Sequence, residues 1–210
     1  MKKLILIFLM IHSVDGICQN KAYKFYNGEG DEISRKHFYE EKLNYKNFPL
    51  YFESDTVRFA VLFRREKEGI LNDSTFQSLK NYLNTFKNEQ IDSKDVIVIN
   101  YLTGVPKDEQ NRNYNTTWNI FDRDYIRKLN RIGDISHFWI SSLDKKNLKH
   151  FYSNRIDWKK DSEDVIPKLF FPYETTYGYY IIINSEGKYY YALGEYGKYN
   201  VWEKAEEMWH

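Results

Sequence analysis

The sequence predicts an α/β fold, a mixed central sheet with helices on both faces that ends in a β-hairpin and a C-terminal helix. Three stretches point to it. Tyr179 to Leu193 reads as two strands joined by a tight turn, with Asn184 opening the turn and Gly187 supplying a left-handed residue. Its first strand is apolar on both faces, Tyr179, Ile181 and Ile183 on one side and Tyr180 and Ile182 on the other, which suits a strand inside a covered sheet. Val96 to Leu102 is a second run of that kind, and Phe76, Leu79, Leu83 and Phe86 form the stripe of a helix that packs on the sheet.

In chain order, Ala22 to Ile33 reads as a strand entering the turn Asn27-Gly28-Glu29-Gly30. Ser34 caps a helix over Arg35 to Leu43, with Phe38 and Tyr39 facing inward. Pro49 to Phe52 is a short strand. Val57 to Phe63 is a nearly continuous apolar run, hence a buried strand. The charged stretch Arg64 to Gly69 reads as a solvated loop, and Asn72-Asp73-Ser74 caps the helix of the Phe76 stripe. A strand, a four-turn helix and the strand Val96 to Leu102 imply a right-handed parallel unit. The polar segment Thr103 to Thr117 is a loop. Trp118, Phe121, Tyr125, Leu129 and Ile132 mark a helix that Gly133 stops, and Phe138 to Ile140 is a strand. Leu143 to Tyr152 reads as a helix, Ile156 to Lys159 as a short strand, and Val201 to Trp209 as the last helix.

Met1 to Gln19 has the form of a secretory signal: Lys2 and Lys3, then the apolar run Leu4 to Ile11, then Gly16-Ile17-Cys18 before Gln19. The run is too short to span a bilayer, so residues 1–18 are expected to be removed and the product to be periplasmic or secreted. Lipid attachment at Cys18 is the runner-up. The cut takes two lysines and one aspartate from a chain of formal charge +1, which leaves 0 and no electrostatic footprint for nucleic acid. It also removes the one cysteine, and with it any disulfide, thiol nucleophile or thiolate ligand. Aromatic residues make up 18% of the chain, 19 of them tyrosine and five tryptophan, which suits either an amphipathic core or a face that stacks sugars or a partner protein.

The order of elements, and the hairpin Ile181-Ile182-Ile183-Asn184-Ser185-Glu186-Gly187-Lys188 running through Leu193-Gly194, resemble a thioredoxin-like domain of the redoxin type. His137 to Asp144 is similar to the family's strand that precedes a helix. The resemblance implies a three-layer sandwich over residues 57–210, preceded by a strand and helix extension over 19–56. It also implies a reactive cysteine in the loop after the first core strand and a cis-proline just before the hairpin. The loop matched to the first of these, Arg64 to Leu71, has no cysteine, and the second position is held by Gly178. The expectation is therefore a redox-inactive protein that binds a protein or peptide, with Glu66, Lys67, Glu68, Gly69, Tyr177, Gly178 and Tyr179 as its surface. A glycan-binding module or a cysteine-independent enzyme is the alternative.

No catalytic motif and no metal or cofactor site is complete. His37, His137 and His150 lack metal spacing, and Asp161, Glu163 and Asp164 read as an acidic surface turn. Ser141 and Ser142 have no glycine-flanked elbow, and Gly28 and Gly30 are not followed by the lysine and hydroxyl of a phosphate loop.

Overall fold

A computed structural model describes residues 21–87, 90–104 and 116–210. The expected signal segment, Cys18 and most of the 103–117 loop lie outside the described residues. Ala22–Tyr26 (β1) enters a turn in which Asn27 Oδ1 accepts from the amides of Glu29 (3.1 Å) and Asp31 (2.8 Å), and the chain reverses into Glu32–Ile33 (β2). Ser34 caps Arg35–Lys42 (α1), its Oγ accepting from the His37 amide at 3.1 Å. Phe38 is fully buried. Tyr39, expected to be inward as well, is 44% exposed, and its ring instead receives Arg35 and Lys42, each 5.7 Å from the centroid. Asn47–Glu53 (β3) and Val57–Arg64 (β4) complete a four-stranded sheet ordered β2-β1-β4-β3, with β1 parallel to β4 and the other pairs antiparallel.

The charged stretch read as a loop is a strand, Glu66–Ile70 (β5), and Asp73–Asn84 (α2) follows it with Asn72 Oδ1 accepting from the Thr75 amide at 2.9 Å. Val96–Leu102 (β6) is buried at every residue. The single helix expected over 118–132 is a 3₁₀ turn, Asn119–Phe121, and then Tyr125–Ile132 (α3), parted where Asp122 turns extended. Next come Ile135–Ser141 (β7) and a 3₁₀ helix, Lys145–Phe151, that ends at left-handed Tyr152. The expected strand at 156–159 shrinks to Lys159–Lys160 (β8). Val165–Leu169 (α4), Tyr179–Ile183 (β9), Lys188–Leu193 (β10) and Lys198–Trp209 (α5) end the chain.

These strands build a six-stranded mixed sheet ordered β5-β10-β9-β6-β7-β8, with β6, β7 and β8 parallel and the other pairs antiparallel. Apolar side chains fill both faces. Ile97, Ile99, Ile181 and Ile183 meet Phe76, Leu79 and Leu83 of α2 and Ile166 of α4. On the other face Val98, Tyr180 and Ile182 meet Tyr125 and Leu129 of α3 and Val201 and Ala205 of α5. The molecule is thus a mixed α/β structure with two sheets among the described residues, the larger clad by helices on both sides.

The parallel unit expected to join Val57–Phe63 to Val96–Leu102 is not formed, because β4 and β6 belong to different sheets. Only Ala60 and Leu62 of β4 are buried, against Phe25 and Phe38, while Phe63 on its other face packs on the larger core. The strand therefore pairs within the small sheet and not within the large one. Arg65 joins the sheets through its backbone. The Arg65 amide donates to Lys46 O (2.8 Å) in the small sheet, and Arg65 O accepts from the Leu193 amide (2.9 Å) in the large one. Its guanidinium bonds Tyr45 O (2.8 Å) and Leu193 O (2.9 Å) and lies over the rings of Tyr45 and Phe48. Low strand propensity in Glu66 to Gly69 is overridden by pairing with β10, where the Tyr189 ring covers the bare Cα of Gly69.

Asp161, expected on a surface turn, is 2% exposed. It accepts from the hydroxyls of Tyr82 (2.6 Å) and Tyr101 (3.2 Å) and from the amides of Val165 and Ile166 (3.0 Å each), so one carboxylate ties α2, β6 and the start of α4 together. Asp161→Ala strands four donors and is expected to lower stability by about 3 kcal/mol, and Asp161→Asn, which keeps an acceptor, by about half that, in urea unfolding. Equal losses for the two would show that the bonds do not matter.

Candidate functional site

The structure does not bring the two expected parts of the site together. Glu66 to Gly69 lie on β5, Tyr179 opens β9, and β10 runs between them, with Ala192 paired to Glu66 on one side and to Tyr180 on the other. Two strand spacings, about 10 Å, therefore separate the lines. Tyr177 and Gly178 instead meet the end of β6. Thr103 Oγ1 donates to Thr175 O at 2.6 Å and accepts from the Thr175 amide at 3.0 Å. Gly104 bridges Thr176, and the Tyr177 amide donates to Gly104 O at 3.2 Å. Tyr177 and Gly178 both have positive φ, +65° and +79°, and a Cβ on Gly178 would overlap Tyr101 O. Thr103 and Thr175 carried no signal in the sequence, since a single threonine in a polar loop fits no pattern.

Beneath this turn lies a closed polar network. Asn100, 1% exposed on β6, donates through Nδ2 to the Tyr196 hydroxyl (2.7 Å) and accepts at Oδ1 from Tyr125 (2.9 Å). His137 Nε2 stands 2.6 Å from the same Oδ1, which assigns the imidazole proton to Nε2. Burial, aided by the Lys87 charge, pushes the His137 pKa down to about 3, and burial raises the Tyr125 and Tyr196 hydroxyls well above their usual value. The bonds from Asn100 tie β6 to β7, α3 and the segment before α5.

Two of the concave surfaces among the described residues flank the large sheet's outer end and the small sheet's aromatic side. A groove of about 490 Å³ on the small sheet is walled by Tyr26, Phe52, Phe59, Val61, Phe63 and Tyr173. A cavity of about 200 Å³ lies between the β5 and β10 end of the large sheet and α5. Exposed tyrosines on the small sheet and α1 carry cations on their rings: Arg58 over Tyr23, and Lys42 over both Tyr39 and Tyr51. None of the five tryptophans is exposed. Among the described residues no group of three His, Cys, Asp or Glu side chains is placed to hold a metal, and no helix is long and apolar enough to cross a membrane.

Comparison of the chain with models of protein families, with characterised proteins and with solved structures returns no match.

Gly178→Ala combines a left-handed backbone with overlap on Tyr101 O and is expected to lower the urea midpoint far more than Gly30→Ala, which has φ +93° but open space and costs about 1 kcal/mol. Similar losses would deny the close approach. The His137 pKa is lower folded than unfolded, so its stabilisation is complete above pH 6.5 and is lost as pH falls through that value toward 3. From pH 7 to pH 5 this withdraws about 2 kcal/mol, above the range where carboxylates such as Asp144, held low by Lys160, begin to protonate. His137→Phe should flatten the slope of stability over that interval, and an unchanged slope would place the titration elsewhere.

Proposed function

We propose that this chain is an exported, thioredoxin-like binding module without thiol chemistry that holds a protein or peptide. Support comes from the element order counted from β6: strand, helix, strand, short helices with the two-residue β8 between them, hairpin, helix. The first core strand of the resemblance is then Val96–Leu102, not Val57–Phe63, and the loop after it is 103–117. The observation that carries the reading is the contact of Thr103 and Gly104 with Thr175 to Gly178. In the family the loop after the first core strand bears the thiol, and the residue before the hairpin, a cis-proline, shapes the substrate groove. Here the 103–117 stretch contains no cysteine and the residue before the hairpin is Gly178. With no cysteine in this stretch, the reading is of binding without thiol catalysis.

The glycan-binding alternative has less in its favour, because stacking a sugar needs a free aromatic face, and the exposed rings of Tyr23, Tyr39 and Tyr51 already carry cations while the tryptophans are buried or partly buried.

The test uses residues 19–210 in two assays. The protein should neither accelerate insulin reduction by dithiothreitol nor consume peroxide, and selection against a random-peptide display library should enrich binders. Thiol-dependent turnover, or a library that yields nothing, would sink the proposal.

A further inference from the structure

Strand β5 is an outer strand of the large sheet, paired on one side only. The Leu193 amide donates to Arg65 O, and the Leu71 amide to Gly187 O. Alternation along an antiparallel ladder then turns the Arg65 carbonyl, the amides and carbonyls of Lys67 and Gly69 and the Leu71 amide toward β10, and the amides and carbonyls of Glu66, Glu68 and Ile70 away from the sheet. Three residues thus present an outward edge, and Ile70 at its end is 68% exposed.

The cavity beside this edge has a chemistry of its own. Its floor is formed by the buried Tyr180, Tyr190 and Tyr196, and its rim by Glu66, Glu195, Glu203, Glu207 and Lys204. Four carboxylates against one ammonium leave the lining at −3. Lys204 does not neutralise the remainder: it is bound to Glu207, stands 3.7 Å from Glu68 and lies over the Tyr190 ring at 4.5 Å. Burial opposes its charge, and the Glu207 bond with the surrounding carboxylates outweighs burial and raises its pKa, so it stays committed to these partners.

From this geometry we propose that β5 and the cavity together take an extended basic peptide, which adds as a strand along Glu66, Glu68 and Ile70 and lays an arginine or lysine over β5 into the acidic, tyrosine-floored cavity. The proposal rests on the binding-module reading and names the partner class. Free backbone groups supply affinity for any extended segment, and the cavity supplies the selection. An added strand lies about 4.8 Å outside β5, so a side chain that reaches the cavity must be long, and the rim requires it to be cationic. A guanidinium meets both demands, since it pairs with carboxylates in a plane and stacks on tyrosine. A second copy of the chain is a poor occupant, because antiparallel pairing of two β5 strands about Glu68 or about Lys67 sets glutamate against glutamate.

The probe is a fluorescein-labelled heptapeptide of alternating threonine and valine with arginine at its centre, titrated against the protein by anisotropy. Two controls carry glutamate at the centre or N-methyl groups on alternate amides. The arginine peptide is expected to bind at least about tenfold more tightly than the glutamate peptide, and N-methylation to abolish binding. Glu66→Gln and Glu203→Gln, both exposed and safe for folding, should each weaken the arginine peptide by about threefold. Hydrogen exchange at the amides of Glu66, Glu68 and Ile70 should slow when the peptide is bound. Equal affinity for the arginine and glutamate peptides, no binding of either, or unchanged exchange at these amides overturns the inference. Library-selected peptides that bind Glu66→Lys and Glu203→Lys proteins as well as the parent would also overturn it while leaving the binding-module reading intact.

Discussion

Strand β9 has no wet face and no free edge, and the rest of the molecule is arranged to keep it so. All five of its residues are buried, β6 and β10 occupy its two edges, and helices close over both faces. Burial of Ile181, Ile182 and Ile183 favours folding by about 2 kcal/mol each, but only if every backbone amide and carbonyl among them is bonded within the sheet. A dry centre makes the same demand of every polar side chain that enters it. Asn100 meets it with Tyr125, Tyr196 and His137, Asp161 with two tyrosines and two amides, and Thr103 with Thr175.

What could be read from the sequence was what local periodicity encodes. The runs at Val96–Leu102 and Tyr179–Ile183, the stripe Phe76, Leu79, Leu83 and the turn at Asn184 and Gly187 each hold their information within a few residues, and each forms where expected. Val57–Arg64 has the same apolar look but a different address, because its sheet is decided by pairing with β1 and β3 and by the switch at Arg65. Glu66 to Ile70 shows no apolar alternation at all. It is a strand because β10 has an edge to be covered, a requirement that arises more than a hundred residues later in the chain.

The same limit applies to the site. Gly178 is singled out only through the resemblance, at the position of the cis-proline, and its neighbours Thr103 and Thr175 come from positions 72 apart and carry no local pattern. Asp161 reads as a surface residue in any window, and its partners Tyr82 and Tyr101 lie 79 and 60 residues away. Polar groups that a fold buries are legible only through their partners, and those partners are brought by topology.

The one-residue link from β4 through Arg65 into β5 has a mechanical consequence. Val57–Arg64 and Glu66–Ile70 lie in different sheets and meet at a bend of one residue, Arg65, whose amide donates to Lys46 O and whose carbonyl accepts from the Leu193 amide. A pull on the outer edge of the large sheet therefore loads the small sheet in shear, along a line of backbone bonds that must yield together and not one after another. The small sheet acts as an anchor block, and tension that would peel an isolated edge strand is shared with β1 and β3.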